Sequence, residues 1–366
     1  MRNPGKWLAA LTILIVIMSI ALHFLNPRPP DNSSLPVSVA PLNHFNPPPF
    51  VFHPQKIAPK EEPELDAAGE PKISRERIEN CLQNYNRNAT SLLAAFHALG
   101  DTNYLNEAAT NFPNNPQVEL AVLSHDEFPQ DRRKWLDAFK TSSPDNSLAN
   151  YLSAENYLKD GQTDTAINEL EIATSKPLFD DFTMQSRLDE EELTECGGKS
   201  ALASAKISRT GIASDMLPEI ETLKRIPSGF YDLKKQKLAE GDTNFVENLS
   251  RIEMALADRL INGDSGKLVI NQLVGIAIES MALHDLDQNA SYDFLNDETP
   301  QQVLQEMKQQ IAVLGQLAKN FQAVYPTLTD EEMASYLQRS KIYGEIAAWQ
   351  WVVQQHPLNS SQIGQQ

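Results

Sequence analysis

The run Gly197-Gly198-Lys199-Ser200 ends the way a phosphate-binding loop ends, where backbone amides and a lysine surround phosphate oxygens. That loop needs another glycine five positions before Gly198, and Leu193 stands there. It also needs a strand in front, whereas LDEEELTEC reads as helix, so a helix-to-helix turn is expected. Asp285, Asp287 and Asn289 reproduce the first three oxygen ligands of a helix-flanked calcium loop. Ala290 replaces the glycine that lets such a loop turn, and Asn296 stands where a bidentate glutamate is needed, so an Asp/Asn-rich connection between helices is expected. The seven histidines, at positions 23, 44, 53, 97, 125, 284 and 356, lack metal-ligand spacing. The acidic run 189–192 could pair carboxylates for proton transfer, but read as a helix start it complements the helix dipole instead. No Ser/His/Asp or Cys/His set can be nominated from residue order. The sequence therefore nominates no catalytic residue, no cofactor and no metal ligand, and a non-enzymatic role is favoured over catalysis.

The elements that would hold such groups are helical. Beyond Lys72, apolar residues recur at three and four spacing with few alternating β-branched runs, and glycines and prolines punctuate the chain at short intervals. Thr299-Pro300-Gln301-Gln302 and Thr329-Asp330-Glu331-Glu332 read as capped helix starts, with helices running to about Phe321 and Gln354. Residues 268–286 are apolar on most sides and fit the centre of a C-terminal lobe; charge after Asp285 makes them a poor membrane span. The turn GDTNYLNEA at 100–108 is echoed by GDTNFVENL at 241–249, each with Gly ending one helix, Asp or Thr capping the next and an aromatic starting its buried face.

The segment NYLSAENYLKDGQTDTAINELEIATSKP, residues 150–177, places Ala154, Ala166 and Ala173 where two helices must approach closely, with Tyr157, Ile167 and Leu170 beside them. Gly161 ends the first helix and Thr163 or Asp164 can cap the second. Together with Pro177, this spacing resembles a tetratricopeptide repeat over about one 34-residue unit. A weaker relative at 91–116 carries Phe96, Gly100, Ala109, Phe112 and Pro116, but has Leu105 where that family prefers a small residue. Residues 118–146, between the two, supply two short helices. The resemblance implies stacked helical hairpins and places Tyr151, Glu155 and Lys159, at i, i+4 and i+8, on the concave side as a candidate partner-binding stripe. The Lys/Asn pattern with which some members hold a C-terminal carboxylate is missing, so chaperone-tail recognition is not implied.

The N-terminus differs from the rest. Arg2 and Lys6 precede residues 7–25, an apolar run with no ionised side chain and long enough to cross a hydrocarbon core as a helix. Positive charge on the short flank 1–6 predicts a cytoplasmic N-terminus and an exported remainder. The alternative is a signal peptide cut after Ala21, which would release a secreted protein. Residues 26–72 hold prolines throughout and read as an extended tether; at roughly 3.1 Å per residue it could reach on the order of 100 Å. Within it, the apolar segment 44–54 could dock on the folded part or on a partner. A helical-repeat region 73–180, a second helical lobe 181–357 and a tail 358–366 complete an all-α architecture, with the boundary drawn near residues 179–184. Cys81 lies on the stripe of Ile78, Leu82, Tyr85, Ala89, Leu92 and Phe96, so a buried free thiol is expected; a disulfide with Cys196 is the alternative in an exported chain.

A net charge of −18 argues against nucleic acid as a partner, since backbone neutralisation needs clustered Lys and Arg. The expectation is a membrane-tethered, extracytoplasmic helical scaffold for an unidentified protein or peptide. The alternatives are a self-associating structural protein of the envelope, hence a homo-oligomer, and an enzyme or ligand-binding protein with its site in the C-terminal lobe.

Overall fold

The computed structural model describes residues 73–357 except position 216, and side chains outside 210–222 and 264–265. The segments expected to be anchor, tether and tail, together with the apolar stretch 44–54, lie outside these residues. Among the described residues the regular structure is helical, with a single isolated bridge between Asn146 and Leu178. No helix among them is long and apolar enough to cross a membrane.

Seven short helices come first: α1 (Arg75–Asn84), α2 (Ala89–Leu99), α3 (Thr102–Asn111), α4 (Pro116–Ser124), α5 (Arg132–Ser142), α6 (Leu148–Lys159) and α7 (Thr163–Ser175). Eight follow: α8 (Thr183–Cys196), α9 (Ala201–Asp215), α10 (Leu217–Ala239), α11 (Thr243–Asn262), α12 (Val269–His284), α13 (Pro300–Val324), α14 (Asp330–Tyr343) and α15 (Glu345–Gln355). Local chemistry sets many of their ends. Gly100 and Gly241 close α2 and α10 with φ of 64° and 82°, a left-handed backbone that glycine adopts without a steric penalty. Asp101 then accepts from the Asn103 amide and Asp242 from the Phe245 amide, satisfying donors that the first helical turn leaves open. Thr299 with Gln302, and Thr329 with Glu332, form reciprocal capping boxes at the starts of α13 and α14.

Two expected ends are different. Gly161, at φ 71°, does close α6, but Gln162 is the N-cap of α7 and makes no side-chain capping bond. The helix expected from Thr329 to Gln354 is two helices, broken at Gly344, whose φ of 89° a continuous helix cannot contain.

The α6–α7 hairpin packs closely, with Ala154, Ala166 and Ala173 each fully buried. Their methyl groups let the two backbones approach while Leu170, also fully buried, supplies the larger contact area. The boundary drawn near residue 180 does not divide the packing. One buried cluster runs from Ile78 through Ala173 and on through Leu193, Phe230 and Leu256 to Ile278. Helix α12 joins this cluster to two others: Val274 and Ile278 enter the first, Val269 and Leu273 the second, Ile276 and Leu283 the third. A helix apolar on most sides is therefore central to the whole, not to one lobe.

Polar contacts reinforce the junction. Arg259 of α11 donates Nη2 to the carbonyl oxygens of Thr174 (3.0 Å) and Lys176 (2.7 Å). A cation thus sits on acceptors left open at the end of α7, where the helix dipole is negative.

Candidate functional site

The stripe Tyr151, Glu155, Lys159 is not an open face. Tyr151 is fully buried and Glu155 is 2% exposed, while only the Lys159 side chain reaches solvent. Tyr151 lies beside Phe179, with ring centroids 6.2 Å apart, and α10 packs across α6: Gly229 approaches Leu158 so closely that an added Cβ would lie 3.0 Å from its Cδ1. Arg225 of α10 stands 3.7 Å from the Glu155 carboxylate, which is also paired with Lys159 at 2.8 Å. Burial pushes the Tyr151 hydroxyl up to about 12. Two of the three residues expected to meet a partner are instead held inside the chain.

Cys81 and Cys196 form a disulfide, with Cα atoms 6.0 Å apart, so the expected free thiol is replaced by a covalent tie between α1 and the end of α8. The stripe reading placed Cys81 correctly in the core, at 3% exposed, but could not show that the end of α8 meets it there. Arg77 Nη1 donates to the Gly197 carbonyl at 3.0 Å beside this link. Gly197 to Ser200 is the turn between α8 and α9, with Gly198 at φ 100°; helix, not strand, precedes it. Asp285 lies 2.8 Å from the buried Lys234 ammonium, and Asp287 accepts from the Asn289 amide within its own turn. Their oxygens are thereby turned to internal partners.

A cleft that the sequence did not announce lies between α2, α4, α8, the residues leading into α8, and α9. Its cavity of about 60 Å³ is lined by His97 and Leu93 from α2, Gln117, Leu120, Ala121 and Ser124 from α4, then His125, Asp181, Phe182 and Thr183. Ser186, Arg187 and Glu190 of α8 and Ser208 of α9 complete it. Phe96 packs edge-on against His125 with ring centroids 4.7 Å apart, and the two imidazoles are 6.4 Å apart. Phe182 enters α8 with φ 53°, in the left-handed region that disfavours side chains, and Phe182 N–H donates to Asp180 Oδ1 at 2.8 Å. Asp181 Oδ1 accepts from the Thr183 amide at 3.0 Å and Oδ2 from Asn271 Nδ2 at 3.2 Å, which fixes the cleft's floor.

The acidic run beside the cleft is not at a helix start. It sits in the middle of α8, where Glu190 and Glu191 are 5% and 7% exposed. Glu191 accepts from Ser208 Oγ at 2.7 Å and pairs with Lys341. Burial raises the Asp189 carboxyl, and the neighbouring Glu192 charge adds to the shift. Arg187, 3% exposed, has its guanidinium pushed down by burial and by Arg209, against the attraction of Glu345 and Glu191. The arrangement offers buried hydrogen-bond donors and two imidazoles in one small concave space. Among the described residues, no group of three or more His, Cys, Asp or Glu side chains is placed to hold a metal ion.

Comparison with known proteins finds no matching family model, no significantly similar curated protein and no significantly similar solved structure.

Proposed function

We propose that this chain is a membrane-tethered, extracytoplasmic helical scaffold of tetratricopeptide-like hairpins that binds another protein or peptide. The Cys81–Cys196 disulfide carries the reading, because such links persist in oxidising compartments and are uncommon in reducing ones. It agrees with export directed by residues 1–25 and a tether formed by residues 26–72. The Gly161-closed hairpin with buried Ala154, Ala166 and Ala173 supports the repeat resemblance. Since α10 covers the first-helix face of that hairpin, the partner surface moves to the cleft beside α2, α4 and α8. A tether raises the effective concentration of the scaffold for any partner held at the same membrane.

The test is chemical crosslinking in intact membranes that carry the full chain. The reading requires a second protein at fixed stoichiometry. Recovery of the monomer alone, or of crosslinks only between copies of this chain, would contradict it.

A further inference from the structure

Helix α13 is the longest of the described helices, at 25 residues, and only one side of it is covered. Leu304, Met307 and Ile311 are buried in the third cluster, and Leu314, Ala318 and Phe321 in the second. The other side is open along the whole helix, and its composition is unusual for this chain. All seven glutamines of α13 are exposed, as are Ala312, Ala323 and Val313, the last at 54%. Only three of the 25 side chains ionise, Glu306, Lys308 and Lys319, in a chain of which 22% is Asp, Glu, Lys or Arg. A solvated surface is ordinarily rich in charge, whereas depletion of charge marks the centre of an interface.

The exposed residues also keep a register. Gln302, Gln305, Gln309, Ala312, Gln316, Lys319 and Ala323 recur at alternating spacings of three and four, the seam along which two helices pack side by side. Val313 lies beside its midpoint.

Charge selects the occupant. The chain carries a net −18, so two copies repel except across a face that is locally neutral, and on this face Glu306 is offset by Lys319. A primary amide both donates and accepts, so a row of glutamines is complementary to a copy of itself. An antiparallel arrangement centred between Ala312 and Val313 sets Gln309 opposite Gln316 and Glu306 level with Lys319, each twice by symmetry. It also puts compact side chains where the helices come closest. A parallel arrangement would set Glu306 level with Glu306 and Lys319 level with Lys319. The helix dipoles favour the antiparallel direction as well.

We infer that this chain forms a two-fold symmetric dimer through the exposed side of α13, paired antiparallel with α13 of a second copy. The contact is separate from the partner surface proposed above, so a dimer and a bound second protein are compatible.

The experiment is sedimentation equilibrium of the full chain in density-matched detergent, for the wild type and two double variants. The wild type is expected to form a dimer as its concentration rises. Gln309→Glu with Gln316→Glu sets like charges opposite each other twice and is expected to weaken dimerisation by at least about tenfold. Gln309→Glu with Gln316→Lys sets unlike charges opposite each other in the antiparallel pair and is expected to dimerise at least as tightly as the wild type. Both positions are exposed, so the circular dichroism of the two variants is expected to match the wild type. A wild type that stays monomeric at every concentration would overturn the inference. So would a dimer that the two glutamates leave unchanged, since another surface would then hold it. Equal weakening by both variants would overturn the antiparallel direction, because like charges meet in both only when the helices run parallel.

Discussion

Cys81 of α1 and Cys196 at the end of α8 are joined across a sequence separation of 115, so the chain from α1 to the end of α8 is closed into one covalent loop. A link over so long a loop restricts the unfolded chain strongly. Removing it by Cys81→Ser with Cys196→Ser is expected to cost on the order of 3–5 kcal/mol, read as a lower urea midpoint. A wild-type chain unfolded with and without reductant should show the same difference.

Two glycines are expected to fail for different reasons. At Gly161 an added Cβ meets nothing within 4 Å, so Gly161→Ala pays only for the left-handed backbone at φ 71°, about 1 kcal/mol. At Gly275 of α12 the same atom would lie 2.6 Å from Ile261 Cγ1 and 2.9 Å from the Ala257 carbonyl oxygen of α11. Gly275→Ala must push the two helices apart, at about 1–3 kcal/mol, and a crystal structure of the variant should show the shift.

Lys234 of α10 and Glu253 of α11 pair at 2.8 Å with side chains 1% and 0% exposed. Burial pushes Glu253 up to about 7 against the pull of Lys234, while the two carboxylates around Lys234 hold its ammonium above the ordinary lysine range despite burial. Lys234→Met leaves Glu253 buried without its cation and is expected to cost about 3–5 kcal/mol. Lys234→Met combined with Glu253→Leu should recover most of that loss in denaturant unfolding. Additive losses would show that the pair is not energetically coupled.

The helix ends were legible because capping is local. Asp101, Asp242, Thr299 and Thr329 act within three residues of themselves, and each occupies its expected place. The site was not legible, because its parts meet only through packing. Asp189 to Glu192 look alike in sequence, yet Glu190 and Glu191 are buried while Glu192 is exposed, according to which face of α8 is covered. Tyr151 and Glu155 were misplaced for the same reason: nothing within the hairpin shows that Phe179 will lie beside the one and Arg225 of α10 beside the other. His97 and His125, apart in the chain, come together only because α2 and α4 are neighbours.

Glu279 of α12 gives a pH dependence of definite sign. Burial, then the Asp258 charge, pushes its carboxyl from the ordinary value near 4.5 up to about 7. Its folded pKa is raised, so its contribution is fully present below pH 4.5 and is lost as pH rises through about 7. Glu279→Gln is therefore expected to stabilise the chain by up to about 2–3 kcal/mol at pH 8 and by nothing at pH 4. Unfolding free energies of the two proteins across that range check it.

The central claim is a tethered scaffold outside the reducing compartment that engages a partner. It is tested most directly by recovering the full chain from its own membranes after crosslinking, then sequencing its N-terminus and mapping its cysteines without reductant. The account predicts an intact Met1, a Cys81–Cys196 disulfide and one stoichiometric second protein. A chain beginning near Leu22, with free thiols and no partner, would contradict it.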